Sequence, residues 1–219
     1  MCFRSPLPHH LGMDTITRDL TSLSKRDVYR ILSSLVIPRP IAWITTVDGA
    51  GRVNLAPFSS FMGIFGPPML AVTLGRRRDG SLKDTHRNLK ERGEAVVHIA
   101  DLPLLEALHA SGAEVGPEIS EVERLGLATE KSLRVTPPRL KAAPVALECR
   151  LNREVELGPV STLVLLDVLT THAAARIWDS DTDSADASHW TPISRLASVA
   201  GPNYGALGQT FTLGVSELP

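Results

Sequence analysis

The chain has 219 residues, 23 basic against 24 acidic for a net charge of -1, with 43% hydrophobic and 21% charged residues. A chain of that size buries roughly 70% of its unfolded surface and needs no disulfide or metal staple, and so even a charge balance lacks the basic excess that nucleic-acid binders rely on. No apolar run approaches the ~18–20 residues that span a bilayer, and the two cysteines, Cys2 and Cys149, fit a reduced cytoplasmic chain better than a disulfide framework.

Residues 1–20, with Pro6, Pro8, His9 and His10 but no signal-peptide apolar core, read as a disordered leader, with Met13 as an alternative start. Residues 21–219 read as one domain. Val28, Ile31, Leu32 and Leu35 have helical spacing behind Ser24, an N-cap followed by Asp27 in the first turn. Pro38 and Pro40 end that helix. Ile41 to Val47 and Arg52 to Ala56 flank the turn Asp48-Gly49-Ala50-Gly51, a hairpin signature. Phe58 to Ile64 is expected to be an irregular strand and Met69 to Leu74 another, followed by a polar loop with Arg76, Arg77, Arg78, Asp79 and Gly80. Asp84 to Arg92 reads as a helix with Leu89 inward and Gly93 as its stop.

Ala95 to Ala100 is expected to be a buried strand, and Leu104 to Ala110 and Ser120 to Leu125 two small helices, the second with a capping box in Ser120 and Glu123. Val145 to Val155 and Thr162 to Thr171 read as long strands joined through Gly158 and Pro159. Ser180 to Ser188 is acidic and Ser-rich, the composition of a mobile loop, and Thr210 to Val215 reads as the last strand. Strands outnumber helices and short turns join them, which predicts a mainly β fold, an antiparallel barrel with peripheral helices.

Rossmann, Walker A, His-Glu-x-x-His, Cys-x-x-Cys and serine-elbow signatures are absent from the sequence, and the seven histidines lack metal-ligand spacing. What stands out is an ordered series. It runs Pro38-Arg39-Pro40-Ile41-Ala42-Trp43-Ile44-Thr45-Thr46, then Asn54-Leu55-Ala56-Pro57-Phe58-Ser59-Ser60-Phe61, then Pro67-Pro68. Lys83-Asp84-Thr85-x-x-Asn88 follows, then Pro137-Pro138-Arg139 ahead of Pro144-Val145-x-x-Glu148-Cys149, and finally Arg195-Leu196 with Asn203-Tyr204. In order and spacing, from about residue 28 to 215, the series resembles the flavin reductase-like family with an FMN-binding split barrel.

The resemblance implies a Greek-key split β-barrel, FMN as cofactor, NADH or NADPH as co-substrate, and flavin reduction as the activity. It also implies a homodimer with FMN near the subunit interface and a monooxygenase partner that receives reduced flavin. A flavoprotein with tightly held FMN that reduces another small molecule, and a non-enzymatic flavin-binding module, are the alternatives. The residues support the cofactor site in physical terms. Asn54, Ala56, Pro57, Ser59 and Ser60 offer small side chains that let backbone approach a flat ring, and the hydroxyls of Thr45, Thr46, Ser59 and Ser60 match ring or ribityl oxygens. On composition alone the same residues are equally barrel turns and solvent-facing hydroxyls. Lys83, Asp84 and Thr85 open a helix whose unpaired N–H groups favour a phosphate, Asp84 reading as a cap; the alternative is an ordinary surface helix. Arg39 is placed near the flavin by the resemblance, and Arg195 and Tyr204 either close the pocket or contact a second subunit. The Arg76–Arg78 triplet reads as a solvated hairpin tip for at least two of its members, and His98, where relatives often carry asparagine, as structural.

Overall fold

In the computed structural model, residues 15–197 and 202–210 are described. The strand expected over Thr210–Val215 lies, but for Thr210, outside the described residues, as does most of the expected leader. The chain opens on α1 (Lys25–Leu35), where the Ser24 hydroxyl accepts from the Asp27 amide at 3.2 Å as its sequence predicts. There follow β1 (Arg39–Pro40), β2 (Ala42–Val47), β3 (Val53–Phe58), β4 (Phe61–Ile64), β5 (Met69–Gly75), α2 (Asp84–Arg92), β6 (Glu94–Ile99), α3 (Leu105–Ala110) and α4 (Glu121–Arg124). A short ribbon of β7 (Thr129–Glu130) and β8 (Arg139–Leu140) leads into the long hairpin β9 (Val145–Glu156) and β10 (Ser161–Ala173). The described chain closes with β11 (Trp178–Asp179), β12 (Ser184–Ala185), β13 (Ile193–Arg195) and β14 (Tyr204–Ala206).

Seven strands form one antiparallel sheet in the order β3-β2-β6-β9-β10-β5-β4. The strands at its two edges, β3 and β4, are consecutive in sequence, with only Ser59 and Ser60 between them. A link that short reaches about 10 Å at most, so the sheet must curl until its edges face each other. The result is a barrel left open along one seam, a split barrel whose inner core takes in Leu89 of α2 while α3 and α4 pack on its other face. Around its mouth β1, β13 and β14 pair as a separate small sheet.

Alternation along β2 divides the interior. Ala42 and Ile44 point to a core shared with Phe58, Val72, Leu89, Val97 and Leu166, whereas Trp43 points to a second core with Leu55, Leu108, Val122 and Ile193. His98 is fully buried beside Trp43 and, as expected, structural. The Leu140 amide can only donate, so Nε2 of His98 accepts from it at 2.9 Å and Nδ1 carries the proton toward the Trp43 carbonyl, also at 2.9 Å. Burial pushes its pKa down to about 4 against the pull of the Trp43 carbonyl, and the Arg139 charge lowers it further.

Within Ser180–Ser188, expected to be a loop, short local structure forms. Strands β11 and β12 pair as a ribbon there, and Asp179 and Asp186 accept from the amides of Asp181 and Ser188. Carboxylates that bond amides two residues on build turns as readily as they solvate a loop.

Candidate functional site

A cavity of about 270 Å³ lies between β3, the start of α2, the loop after β5 and the loop after α3. Asn54 and Ala56 from β3 and Lys83, Asp84 and Thr85 from the α2 start all line it, so the two stretches paired in the sequence reading converge. β3 is an edge strand, and its side chains at 54, 56 and 58 share a face with Thr46, Ile44 and Ala42 across the register. Helix α2 packs on that face through Thr85, Asn88 and Leu89, residues three and four apart on one helical side. Polar groups meet where strand and helix touch. The Asn54 amide donates to the Thr85 hydroxyl at 2.9 Å and to the Thr46 hydroxyl at 3.3 Å, and the Asn88 amide reaches Thr46 at 3.1 Å.

The first turn of α2 is open to an anion. Its N-cap is Lys83, whose side chain makes no capping hydrogen bond, so the orphan amides there have no side-chain acceptor. Asp84 is not that cap. Its carboxylate pairs with both Arg77 and Arg87, which corrects its place among the expected cofactor ligands: two guanidiniums already occupy its oxygens. The arginine triplet also departs from expectation. Arg76 and Arg77 are half-buried and Arg78 is exposed, yet all three line the cavity. Arg76 Nε donates to the Pro159 carbonyl at 3.1 Å and Arg77 reaches the Val115 carbonyl, so neighbouring loops hold these two inward.

Four cationic side chains (Arg76, Arg77, Arg78, Lys83) thus face three carboxyls (Asp84, Glu114, Glu121). Burial pushes the Glu121 pKa up, against the Leu55 amide that donates to it at 2.9 Å, so the wall is net positive. Glu121 and the Ser111–Val115 loop were not singled out in the sequence. The available signal was the small-residue run Ser111-Gly112-Ala113. A Cβ on Gly112 would stand 3.3 Å from Pro57 Cγ and 3.2 Å from the His109 carbonyl, so a glycine eases the close approach of this loop to β3.

Pro57 also lines a smaller cavity, about 60 Å³, with Ile41, Ser59, Leu108, Arg195 and Tyr204. The Arg195 guanidinium lies over the Tyr204 ring, 4.9 Å from its centroid, and His109 Nδ1 is 3.1 Å from the Tyr204 hydroxyl. Ser59, Arg195 and Tyr204 therefore line this second cavity, which shares Pro57 with the first. Four expected ligands line neither cavity, and of these Thr46 is fully buried and meets the larger one only through Asn54. Thr45 is one residue from Thr46 on a strand, so it faces the opposite side, where its hydroxyl donates to the Pro138 carbonyl at 2.8 Å. Arg39 donates to the carbonyls of Ser33 at 2.5 Å and Val36 at 3.3 Å, clamping the α1 C-terminus. Ser60 is exposed, and its carbonyl accepts from the Thr73 amide at 2.9 Å beside the barrel seam.

Residues 33–180 match the family described as "Flavin reductase like domain". The chain is 36% identical to the uncharacterized protein YwrF of Bacillus subtilis over 197 residues, 87% of this chain and 94% of that one. It is similar to nitrilotriacetate monooxygenase component B from Bacillus cereus, with a TM-score of 0.86 and 34% identity over 92% of this chain and all (100%) of that one. It also resembles the 2-nitrobenzoate 2-nitroreductase NbaA of Pseudomonas fluorescens (TM-score 0.84, 27% identity, covering 93% and 98% of the two chains). A split-barrel-domain structure from Shewanella frigidimarina, at 20% identity and TM-score 0.76 over 94% of this chain and 100% of that one, speaks to the fold. The chain belongs to the flavin reductase-like family and is a flavin-linked oxidoreductase.

Proposed function

We propose that the chain binds FMN across Pro57, with the phosphate at the α2 start and the ring along β3, and serves as an NAD(P)H-dependent flavin reductase. The observation that carries this reading is the convergence of the uncapped α2 turn, Lys83 and three arginines with the Asn54–Ala56 edge in one cavity. The donor set fits the group: amides, an ammonium and a hydroxyl suit a phosphate, and a strand edge of small residues admits a flat ring. Bound there, FMN supplies the two-electron acceptor for a nicotinamide hydride.

The protein's own residues bind and orient. Lys83 and Thr85 hold the anionic end, while the Ala56 and Pro57 side chains keep water from one wall. Leu55 N–H, Val53 C=O and the residues around them are held by Glu121 and Ser120, so the ring meets a rigid edge. No side chain lining the larger cavity is assigned a proton-transfer role. The test is direct. Protein purified and titrated with FMN is expected to bind it, and to oxidise NADH or NADPH when FMN is present. Failure to bind FMN, or to bleach its absorbance near 450 nm with either nucleotide, refutes the proposal.

A second reading is favoured by the smaller cavity beyond Pro57, where a cation, two hydroxyls and apolar walls meet. In that reading the protein retains FMN and reduces a small molecule; the similar enzyme is named for reducing 2-nitrobenzoate. Yellow protein with poor turnover of free flavin favours it. We also assign the chain a homodimeric state, because α1 leaves Tyr29, Leu32 and Leu35 exposed beside Val36 and Ile37. A monooxygenase partner would fit the name of the component B relative. No helix among the described residues is long and apolar enough to cross a membrane, and the buried free thiol of Cys149 suits the cytoplasm.

A further inference from the structure

We propose that Thr46 and Asn88, neither of which lines the larger cavity, are positioning residues that fix the direction of a hydrogen-bond chain and so commit the Thr85 hydroxyl to donate to an anion. This inference rests on the reading of that cavity as the FMN phosphate site.

The argument is one of donors and acceptors. Thr46 is fully buried and Asn88 is 1% exposed, so neither hydroxyl nor amide can turn to water. Thr46 Oγ1 has two amide neighbours, Asn54 at 3.3 Å and Asn88 at 3.1 Å, and a single proton to give. If that proton goes to Asn54, the Asn54 carbonyl oxygen must face both threonines. Thr85, 2.9 Å away, then spends its own proton on the same oxygen and shows only lone pairs to the cavity. If the Thr46 proton goes to Asn88, Asn54 must present its NH₂ to both threonines instead. Thr85 then accepts from Asn54, and its proton is left for the cavity.

The structure has the second polarity at Asn54, whose Nδ2 points at both hydroxyls. At Asn88 the carbonyl oxygen is buried without a partner. Exchanging the O and N of that amide leaves every heavy atom in place and gives Thr46 an acceptor at the same 3.1 Å. One end of the Asn88 amide lacks a partner in either orientation, so the Thr46 proton decides between them. A polar group buried at this depth, beside an α2 start that already presents amides and Lys83, has a specific task. It keeps the Thr85 hydroxyl from turning into an acceptor that would repel an anion.

The experiment compares two ligands that differ only at the phosphate. FMN and riboflavin are titrated into flavin-free protein and followed by flavin fluorescence. Thr46→Val is expected to lower FMN affinity about ten-fold, the loss of one charge-assisted hydrogen bond, while riboflavin affinity stays within about two-fold. Thr46→Ser is expected to restore the FMN preference. Asn88→Leu, which removes the acceptor from the other side, is expected to shift the same ratio and stands in should Thr46→Val fail to fold. An equal fall for both flavins in these variants, or no fall in either, overturns the relay and leaves the cavity assignment intact. Wild-type protein that binds neither flavin, or does not prefer FMN, overturns the cavity assignment itself and the relay with it.

Discussion

Acid should find His98 before it finds most of the protein. The imidazole is neutral in the fold, with its pKa pushed down to about 4 by burial, and returns to its ordinary value of 6.5 when the chain unfolds. The unfolded chain therefore binds the extra proton between those values. The contribution of His98 to stability is complete above pH 6.5 and is lost as pH falls toward 4, with no further loss below. From the two pKa values the loss is about 1 kcal/mol at pH 5.5 and about 2–3 kcal/mol at pH 4.5. Acidic residues that hold amides, such as Glu148, lose stability over part of the same range, so the wild type alone is not diagnostic. The comparison is with His98→Asn. Asparagine can still donate to the Trp43 carbonyl but leaves the Leu140 amide unpaired, a cost of about 1–3 kcal/mol at pH 7. Urea melts of both proteins at pH 7, 5.5 and 4.5 give the stability gap at each pH, in which the carboxylates cancel. The gap is expected to narrow by about 2–3 kcal/mol on acidification. A gap that is constant across the series would show that His98 titrates alike in both states, and would refute the tautomer and the burial argument together.

Lys83→Gln is expected to weaken FMN binding roughly five- to ten-fold in low salt and to flatten its salt dependence, with riboflavin little affected, as followed by fluorescence titration. Thr45→Val leaves the Pro138 carbonyl without its donor and is expected to cost about 1 kcal/mol in a urea melt while FMN affinity stays unchanged, since that hydroxyl lies on the far face of β2. Ser120→Ala removes both the α4 cap and the bond to the Val53 carbonyl. It is expected to cost about 1–2 kcal/mol, and to raise hydrogen exchange at the Leu55 amide that neighbouring Glu121 protects.

The elements that local chemistry dictates were legible before any coordinates. Ser24 with Asp27, Gly93 in the left-handed conformation after α2, and Ser120 before α4 each mark an end through atoms a few residues apart. So was the meeting of the Asn54–Pro57 edge with the Lys83–Thr85 start, through the resemblance rather than through periodicity. What the sequence hid depends on distant partners. Thr45 and Thr46 look alike in a strand, and only the packing of α2 on one face decides which hydroxyl belongs to the site. The Arg76–Arg78 triplet has the composition of a solvated tip. Arg76 and Arg77 nevertheless turn inward because Asp84 and the carbonyls of Val115 and Pro159 wait there, from segments 7 to 83 residues away. The two-residue strands β7, β8, β11 and β12 are too short for any alternation to register.

Pro57 occupies an outward-facing position on the sheet's free edge, two residues beyond the Leu55 amide that Glu121 holds. Lacking an N–H, it cannot template an incoming strand, and with the Ser120 and Glu121 contacts it leaves that edge little to offer another chain. The mouth of a split barrel must stay open for a ligand yet closed to other polypeptides. A ring that walls two cavities while removing one donor from the seam meets both demands, so a substitution such as Pro57→Ala would expose the protein to self-association before it cost the flavin its wall.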